Sequence, residues 1–267
     1  MKLSVILITW NSEKDVKQCI DSVLDTIEGI DSEIIVVDNG SSDATLPLLK
    51  TFGNKIRLFQ HARNLGVAKA RNRAMKEAVG DFIWILDVDT IVNREALDAM
   101  VDHLENNCNT GICACKLISL EGVVQNSCRK LPTLRLKLLN AGMALFSKLP
   151  LTSGIQDYFG QLNKRQFYQK EKEGKTPFEV GYVIGACQLF RRETLESAGF
   201  LDEKIFYGPE DADFCLRIRK TGRKVMFLPF VFIIHHYQRI TTKRIFSRMS
   251  LIHLWAILYF SWKHKRF

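Results

Sequence analysis

Asp87 and Asp89 follow directly after a short, unbroken apolar run at residues 82–86. Such a run is typical of a strand that is buried on both faces. In extended backbone a spacing of two residues directs both carboxylates to the same side, where their charges repel each other and favour a bound cation. Carboxylate oxygens suit Mg²⁺ or Mn²⁺, which keep open positions for the oxygens of a phosphate. The pair therefore indicates a Mg²⁺ or Mn²⁺ site, although a solvated turn or a helix N-cap has the same local pattern.

The composition limits the classes of protein to be considered. The 267 residues are 46% hydrophobic, which is ordinary for a globular chain with a sizeable core. The formal net charge of +9 indicates a polyanionic partner: nucleic acid, anionic lipid or a phosphorylated substrate. The seven cysteines include no C-x-x-C pair, and their odd number favours the reduced thiols of a cytoplasmic protein over a disulfide framework. The sequence has no signal-peptide pattern and no apolar stretch long enough for a membrane span.

The first 105 residues or so alternate strand and helix patterns four times. The predicted strands are 3–8, 33–37, 55–60 and 82–86, and the predicted helices are 16–27, a short segment after residue 43, 67–79 and 93–105. This alternation predicts a parallel, doubly wound α/β sheet, whose ligands bind beyond the carboxyl ends of the strands. The polar residues at these ends, which one crevice could collect, are Thr9, Asn11, Asp38, Asn39, Arg63, Asn64, Asp87 and Asp89.

The pattern is less regular after about residue 110. The pattern predicts two short strands within residues 111–126. It also predicts a variable insertion, rich in Lys and Arg, at residues 129–176. Regular patterns then return as strands near 179–184 and 186–190, helices near 192–198 and from Glu210, and strands at 224–228 and 231–234 on either side of Pro229. His235 and His236 follow the last strand.

Five segments carry a specific likeness. They are residues 5–11 (VILITWN), 34–43 (IIVVDNGSSD), Asn64-x-Gly66 with Ala70-Arg-Asn72, 86–89 (LDVD), and 185–203 with 209–217 and the His pair. In this order and spacing the set resembles glycosyltransferase family 2, above all its rhamnosyltransferase-type members, over about residues 3–128 and 178–236. The resemblance implies a GT-A domain at 1–236, with a Rossmann-like nucleotide-sugar-binding half at 1–110 and an acceptor half at 111–236. A basic and apolar, amphipathic helical tail follows at 237–267.

The resemblance also implies the residues that bind the donor, a UDP- or dTDP-linked sugar. Asp38 corresponds to the acid that contacts the uracil or ribose. The other implied donor-binding positions are Thr9, Asn11, Asn39, Asn64, Arg71, Asp87, Gly185 and Ala186. Asp89 and Asp87 would hold the metal with His235, or with the adjacent His236. Arg71 has the alternative of an ordinary surface cation, and Gly185 and Ala186 have that of tight strand packing.

Glu210 and Asp211 correspond to the acidic pair at the start of a helix in the family, and Asp211 is the implied general base. It would take a proton from an acceptor hydroxyl that displaces the nucleoside diphosphate in one inverting step. The implied acceptor is a glycan or a lipid-linked saccharide of cell-surface polysaccharide synthesis. The helix macrodipole alone would also favour acids at this position. Asp213 is better placed to pair with Arg217 four residues later.

Two rival functions fit the sequence less well. A sugar-phosphate nucleotidyltransferase would have a Gly-rich loop after the first strand, but residues 9–12 contain no glycine. A non-enzymatic nucleic-acid-binding protein would interleave its positive charge with a reading motif, whereas here the charge is concentrated in 129–175 and 239–267. We therefore expect no nucleic-acid partner.

The C-terminal segment 251–262 is nearly all apolar and has Lys or Arg on both sides. Twelve helical residues rise about 18 Å, which is too short to span a bilayer. The composition favours peripheral binding to the anionic inner leaflet of the cytoplasmic membrane, where a lipid-linked acceptor would be met. The alternative is that Leu251, Leu254, Trp255 and Leu258 pack on the catalytic domain or on a second copy in a homodimer.

Overall fold

The computed structural model describes residues 2–134, 161, 164, 166–168, 174–236 and 248–265. The strands are β1 Leu3–Thr9, β2 Ser32–Asp38, β3 Arg57–Gln60, β4 Phe82–Asp87, β5 Thr90–Ile91, β6 Thr110–Ile118, β7 Cys128–Arg129, β8 Phe178–Glu179, β9 Tyr182–Val183, β10 Cys187–Arg191 and β11 Lys224–His235. Among the described residues, nine strands form one sheet in the order β3-β2-β1-β4-β10-β6-β11-β5, and β8 pairs with β11. β7 and β9 form a separate pair.

The first half of the sheet is parallel, as the sequence predicts. β1 pairs in parallel with β2 and β4, and β2 pairs in parallel with β3. β10 is inserted between β4 and β6 and runs antiparallel to both. The sheet is therefore mixed but mostly parallel, and the two halves of the domain are joined through β10.

Helices cover both faces of this sheet. They are α1 Val16–Thr26, α2 Thr45–Lys50, α3 Val67–Glu77, α4 Arg94–Asn106, α5 Arg192–Ala198, α6 Glu210–Lys220 and α7 Arg248–His264, with a 3₁₀ turn at Gly53–Lys55. Leu3, Val5 and Leu7 of β1 belong to the same core cluster as α1 and α4, whereas Ile6 belongs to the cluster of α3 and α6. Because side chains alternate along a strand, the apolar run of β1 is buried on both faces.

Three predictions for the second half differ from the structure. The region predicted as two strands at 111–126 is the single strand β6, followed by an isolated bridge between Ile118 and Val124. The strand predicted near 179–184 is divided into β8 and β9. The two strands predicted around Pro229 are one strand, β11, whose pairing with β6 shifts register between Leu228 and Phe232. A bulge accommodates proline, because the missing N–H is not needed there.

The tail predicted at 237–267 contains α7, a helix of 17 residues that packs on the helices and strands before it. The packing residues are Ala256, Ile257, Phe260 and Ser261, which are all buried. The alternative that Leu251, Leu254, Trp255 and Leu258 pack on the domain is wrong, since these four side chains are exposed. None of the described helices is both long and apolar enough to cross a membrane. Most of the predicted insertion at 129–176, and residues 237–247, lie outside the described residues.

Candidate active site

The carboxyl ends of β1, β2 and β4 meet at one edge of the sheet. In the parallel register Thr9 lies beside Asp38, and Ile8 lies beside Asp87. The predicted donor residues at the ends of these strands are therefore neighbours. The reason is that parallel strands of similar length bring their polar C-terminal residues to the same edge.

The fully buried carboxylate of Asp38 organises the loop after β2. Its Oδ1 accepts hydrogen bonds from the hydroxyls of Thr9 at 3.0 Å and Ser41 at 2.5 Å, and its Oδ2 accepts from the Ser41 N–H at 3.2 Å. Asn11 has a φ of 52°, a left-handed conformation that asparagine tolerates, and its N–H donates to the Ser41 hydroxyl at 2.9 Å. Its side-chain oxygen accepts from the Ser42 N–H at 2.8 Å. Asp38, Thr9 and Asn11 thus belong to one network.

Asn39 connects the end of β2 to the loop before α3. Its amide group donates to Asn64 Oδ1 at 3.0 Å and to the Gly66 carbonyl at 3.3 Å, and its oxygen accepts from the Leu65 N–H at 3.0 Å. Gly66 has a φ of 92°, and a Cβ there would lie 2.7 Å from the carbonyl oxygen of Phe206. Asn39 and Asn64 therefore hold the loop before α3. At position 66 of this loop the backbone conformation and the available space suit glycine only.

Asp87, Asp89 and His235 form a cluster in which one ligand atom from each residue lies within 4.8 Å of the others. His235 Nε2 is 3.3 Å from Asp89 Oδ1. On the other side of the ring, His235 Nδ1 is 2.7 Å from Gln125 Oε1. The Gln125 amide nitrogen donates to the His235 carbonyl at 2.7 Å, so its oxygen must accept, and Nδ1 must carry the proton. In the neutral imidazole this tautomer leaves the Nε2 lone pair on the side of the two carboxylates, as in histidines that bind metals, whereas in the protonated imidazole the Nε2–H donates to Asp89.

The electrostatics of this cluster also suit a cation. Burial raises the pKa of Asp87 and the Asp89 charge raises it further, while Arg71 opposes the increase. Burial alone would lower the pKa of His235, but the hydrogen bond to Asp89 and the nearby carboxylates raise it above the usual value. The raised pKa of His235 reflects the negative charge of the two carboxylates, whereas that of Asp87 reflects burial first. A divalent ion would compensate the charge of the carboxylates, and the two oxygen donors and one imidazole nitrogen are suitable ligands.

His236 is placed differently from His235. Its Nδ1 lies 3.4 Å from Asp15 Oδ1, and its backbone N–H donates to the Asp89 carbonyl at 2.8 Å. The sequence left open which of the two histidines lies with the carboxylates, and in the structure it is His235. His236 fixes the backbone beside Asp89 instead.

Arg71 is buried between the two halves of the domain. It is only 3% exposed, so the alternative of an ordinary surface cation is wrong. Its Nη2 donates to Asp87 Oδ1 at 2.6 Å and to the Gly185 carbonyl at 2.8 Å, and its Nη1 lies 3.8 Å from Glu210 Oε1. A Cβ on Gly185 would lie 2.1 Å from Nη1. Gly185 therefore provides the space for the guanidinium, and the neighbouring Ala186 accepts the Asp87 N–H at 3.2 Å.

The acidic pair at the start of α6 is divided between core and surface. Glu210 is buried, and its Oε2 has no hydrogen-bond partner. Burial and then the Asp211 charge raise the pKa of Glu210 to about 7, against the effect of Arg71. Asp211 is partly exposed and accepts the Ala212 N–H at 2.7 Å. The ion pair predicted between Asp213 and Arg217 is confirmed at 2.8 Å.

Two residues of this site were not found from the sequence. Ser41 lies within a predicted motif, but serine is so common in turns that nothing marked it as the partner of Asp38. Gln125 lies outside any predicted motif, and its contact with His235 joins residues 110 positions apart. A contact between residues so far apart cannot be predicted from a local pattern in a single sequence.

The mixed sheet, the carboxylate pair at the end of β4 and the histidine after the last strand define a class, the glycosyltransferases of GT-A architecture. The model of glycosyl transferase family 2 matches residues 4–199, and the chain belongs to this family.

Relatives with assigned activities are similar over most of this chain. N-acetylglucosaminyl-diphospho-decaprenol L-rhamnosyltransferase of Mycobacterium tuberculosis is 24% identical over 243 residues, which are 86% of this chain and 75% of that protein. Poly(ribitol-phosphate) beta-glucosyltransferase of Bacillus spizizenii is 31% identical over 237 residues, 86% of this chain but 34% of that protein. The chain thus spans three quarters of the first relative and about a third of the second.

Solved structures share the fold. The mannosyltransferase PcManGT of Pyrobaculum calidifontis, in complex with GDP-Man and Mn²⁺, has a TM-score of 0.61 and 19% identity over 89% of this chain and 57% of that one. S. aureus TarS 1-349 in complex with UDP-GlcNAc has a TM-score of 0.58 and 20% identity over 91% of this chain and 61% of that one. At these identities the likeness concerns the fold alone.

Proposed function

We propose that the protein transfers a sugar from a UDP- or dTDP-linked donor to a hydroxyl of a glycan or lipid-linked acceptor, with inversion and with the help of a divalent metal. The observation that carries the proposal is the cluster of Asp87, Asp89 and His235 at the strand edge that also holds Asp38. A nucleoside diphosphate needs both a base-binding loop and a place for its charged phosphates, and these two features are adjacent here.

The donor side is assigned to the residues around β1 and β2. Thr9, Asn11, Asp38, Asn39 and Asn64 would shape the pocket for the base and ribose, because their hydrogen bonds fix the loops after both strands. Direct contact of these residues with the nucleotide stays a prediction. So does the role of Gly185 and Ala186 beside the sugar.

The metal is assigned to Asp89, Asp87 and His235. The orientation of His235 by Gln125 supports this assignment, because an imidazole held in that tautomer has its Nε2 lone pair on the side of Asp89. When bound, Mg²⁺ or Mn²⁺ supplies Lewis-acid stabilisation of the charge on the leaving diphosphate. Arg71 would hold Asp87 in place through its hydrogen bond of 2.6 Å.

Asp211 is assigned as the general base. Its partial exposure supports this role, because a base must reach the acceptor hydroxyl, whereas Glu210 is buried behind it against Arg71. The acceptor oxygen would form the new bond to the anomeric carbon as the bond to the diphosphate breaks. The hydroxyl proton would pass to Asp211. One displacement of this kind inverts the anomeric configuration.

The acceptor and its location are inferred from the relatives and the tail. The mycobacterial relative is named for a lipid-linked acceptor, and the Bacillus relative for a poly(ribitol-phosphate). We infer that this chain also acts in cell-surface polysaccharide synthesis. We place it at the inner face of the cytoplasmic membrane, because residues 239–267 contain seven Lys or Arg and no acid.

A thermal-shift panel of UDP-, dTDP- and GDP-sugars, with Mn²⁺, Mg²⁺ or chelator, tests the donor assignment. A ligand that binds only the folded state raises the melting temperature. We expect a rise with a UDP or dTDP sugar that needs metal and disappears in Asp89→Asn. Asp102→Asn, which alters an exposed carboxylate on α4, is the matched control and should behave like the wild type.

Transfer to a saccharide acceptor, followed by NMR of the product, tests the stereochemistry. The configuration at the new glycosidic bond should be opposite to that of the donor. Donor binding that is unchanged by chelator and by Asp89→Asn would refute the metal assignment. Retention of configuration would refute the single displacement.

A further inference from the structure

Helix α7 has two apolar faces, and of these only the inner one packs on other residues that the structure describes. Phe260, on the inner face, is 1% exposed and belongs to the core cluster that contains Phe214 of α6. The opposite side, which we call the outer face, consists of Leu251, Leu254, Trp255, Leu258 and Trp262, with exposed fractions of 67, 40, 53, 44 and 70%. Their spacing of three or four residues places all five on one stripe of the helix. A contiguous apolar stripe of this kind indicates an interaction site.

Ion pairs hold α7 firmly on the catalytic domain. Lys263 Nζ lies 2.7 Å from Asp202 Oδ2 and 2.6 Å from Asp213 Oδ1. His264 Nε2 lies 2.7 Å from the same oxygen of Asp213, which is fully buried. The Tyr259 hydroxyl donates to Asp202 at 2.9 Å. The outer face is therefore exposed on a helix that is fixed to α6, the helix that begins with the acidic pair.

The surroundings of the outer face are aromatic and cationic. The rings of Trp255 and Tyr259 are stacked, with centroids 5.4 Å apart and planes inclined by 2°. Lys204 Nζ lies 5.9 Å from the centroid of the Tyr259 ring, and Lys265, which follows the last residue of α7, is also exposed. Exposed apolar and aromatic side chains with Lys beside them suit the headgroup region of an anionic bilayer, where the ammonium groups meet the headgroups.

We propose that the outer face of α7 docks the protein on an anionic bilayer surface, with the helix lying in the plane of the interface. The 17 residues rise about 25 Å, less than the roughly 30 Å of a hydrocarbon core. A second copy fits this surface less well. A two-fold contact would bring Lys204 and Lys265 to the interface from both copies, and this excess of positive charge opposes the contact. Anionic headgroups complement these cations instead.

This docking deepens the proposed function, and it rests on that function because it assumes a lipid-linked acceptor. Because the inner face is fixed to α6, docking of the outer face would hold the acceptor half of the site at the level of lipid headgroups. A lipid-linked acceptor would then reach Asp211 without leaving the bilayer.

Vesicle flotation of the full chain tests the docking surface. We expect the protein to float with vesicles that contain 30% phosphatidylglycerol, and to stay in solution with pure phosphatidylcholine. Trp255→Ser/Trp262→Ser should lower the vesicle partition coefficient at least tenfold, and Lys265→Gln about fivefold, as expected for loss of one cation near the surface. The matched control is Phe230→Ser/Phe232→Ser, which removes two aromatic side chains of β11 that are each 46% exposed. It should float like the wild type.

Tryptophan fluorescence reports the same contact without a separation step. Anionic vesicles should shift the emission to shorter wavelengths in the wild type and in Trp10→Phe, but not in Trp255→Phe/Trp262→Phe. Equal loss of flotation in the β11 control would overturn the proposal. A second result would also overturn it. In that result the wild type does not bind vesicles, and light scattering shows a wild-type dimer that Trp255→Ser/Trp262→Ser converts to a monomer.

The experiments distinguish failure of the docking surface from failure of the proposed function. Donor-dependent stabilisation and transfer to a water-soluble saccharide test the active site and should be unchanged in Trp255→Ser/Trp262→Ser. If these are normal and the wild type does not float, only the docking surface is wrong. If flotation is as expected and no nucleotide sugar stabilises the protein, only the proposed function is wrong.

Discussion

Replacing Glu210 by Gln should change the pH dependence of the stability of the protein. In the folded protein burial raises the pKa of Glu210 from 4.5 to about 7, with the charge of Asp211 as the second cause. Between these two pH values the folded state keeps a proton that the unfolded state releases. The free energy of unfolding must therefore decrease as the pH rises through this window. Gln has nearly the same shape and cannot ionise, so Glu210→Gln should remove this contribution.

The difference between the two pKa values corresponds to about 3 kcal/mol in total, at 1.36 kcal/mol for each pH unit. About 2 kcal/mol of this falls between pH 5.5 and pH 8.0. We expect the wild type to lose about 2 kcal/mol more stability than Glu210→Gln when the pH is raised across that interval. The contributions of titrating groups that do not interact with Glu210 are common to both proteins and cancel in the comparison.

The assay is urea unfolding at both pH values, in the presence of chelator and at constant ionic strength. Glu105→Gln, which alters an exposed glutamate on α4, serves as the control and should keep the pH dependence of the wild type. Equal pH dependence in wild type and Glu210→Gln would refute the reasoning. A wild type that gains stability relative to Glu210→Gln as the pH rises would mean that Arg71 holds Glu210 ionised in the folded state.

Three further substitutions test the roles of charged residues. Asp211→Asn should lower turnover about 10²–10⁴-fold, the usual contribution of a general base, with donor affinity nearly unchanged in titration calorimetry. If Asp211→Asn keeps normal turnover and Glu210→Gln loses activity, Glu210 rather than Asp211 is the general base. Arg71→Met should lower the free energy of unfolding by about 3–5 kcal/mol in urea, because Asp87 and Glu210 lose their buried cation. Asp213→Asn should destabilise the protein at neutral pH, and the difference from wild type should shrink as the pH falls through the lowered pKa of Asp213, where the wild-type carboxylate also becomes protonated.

The first half of the fold could be predicted because its information is local. The strands β1, β2 and β4 are apolar runs, and each ends in polar residues that turn the chain. Once such strands are parallel, their ends must meet, which is why Thr9, Asp38 and Asp87 could be placed together before any coordinates. The second half was predicted less well, because β10 pairs antiparallel between two strands that are distant in sequence.

The sequence by itself determined the types and order of the groups at the site: paired carboxylates after a buried strand, a late histidine and an acidic pair at the start of a helix. Only the tertiary structure decided between chemically equivalent neighbours. It selected His235 over His236 through the contact with Gln125, and it buried Arg71 in the space left by Gly185. It also turned the tryptophans of α7 outward. These choices depend on contacts between segments far apart in the chain, and α7 is apolar on both sides, so its periodicity alone could not identify the face that packs on the domain.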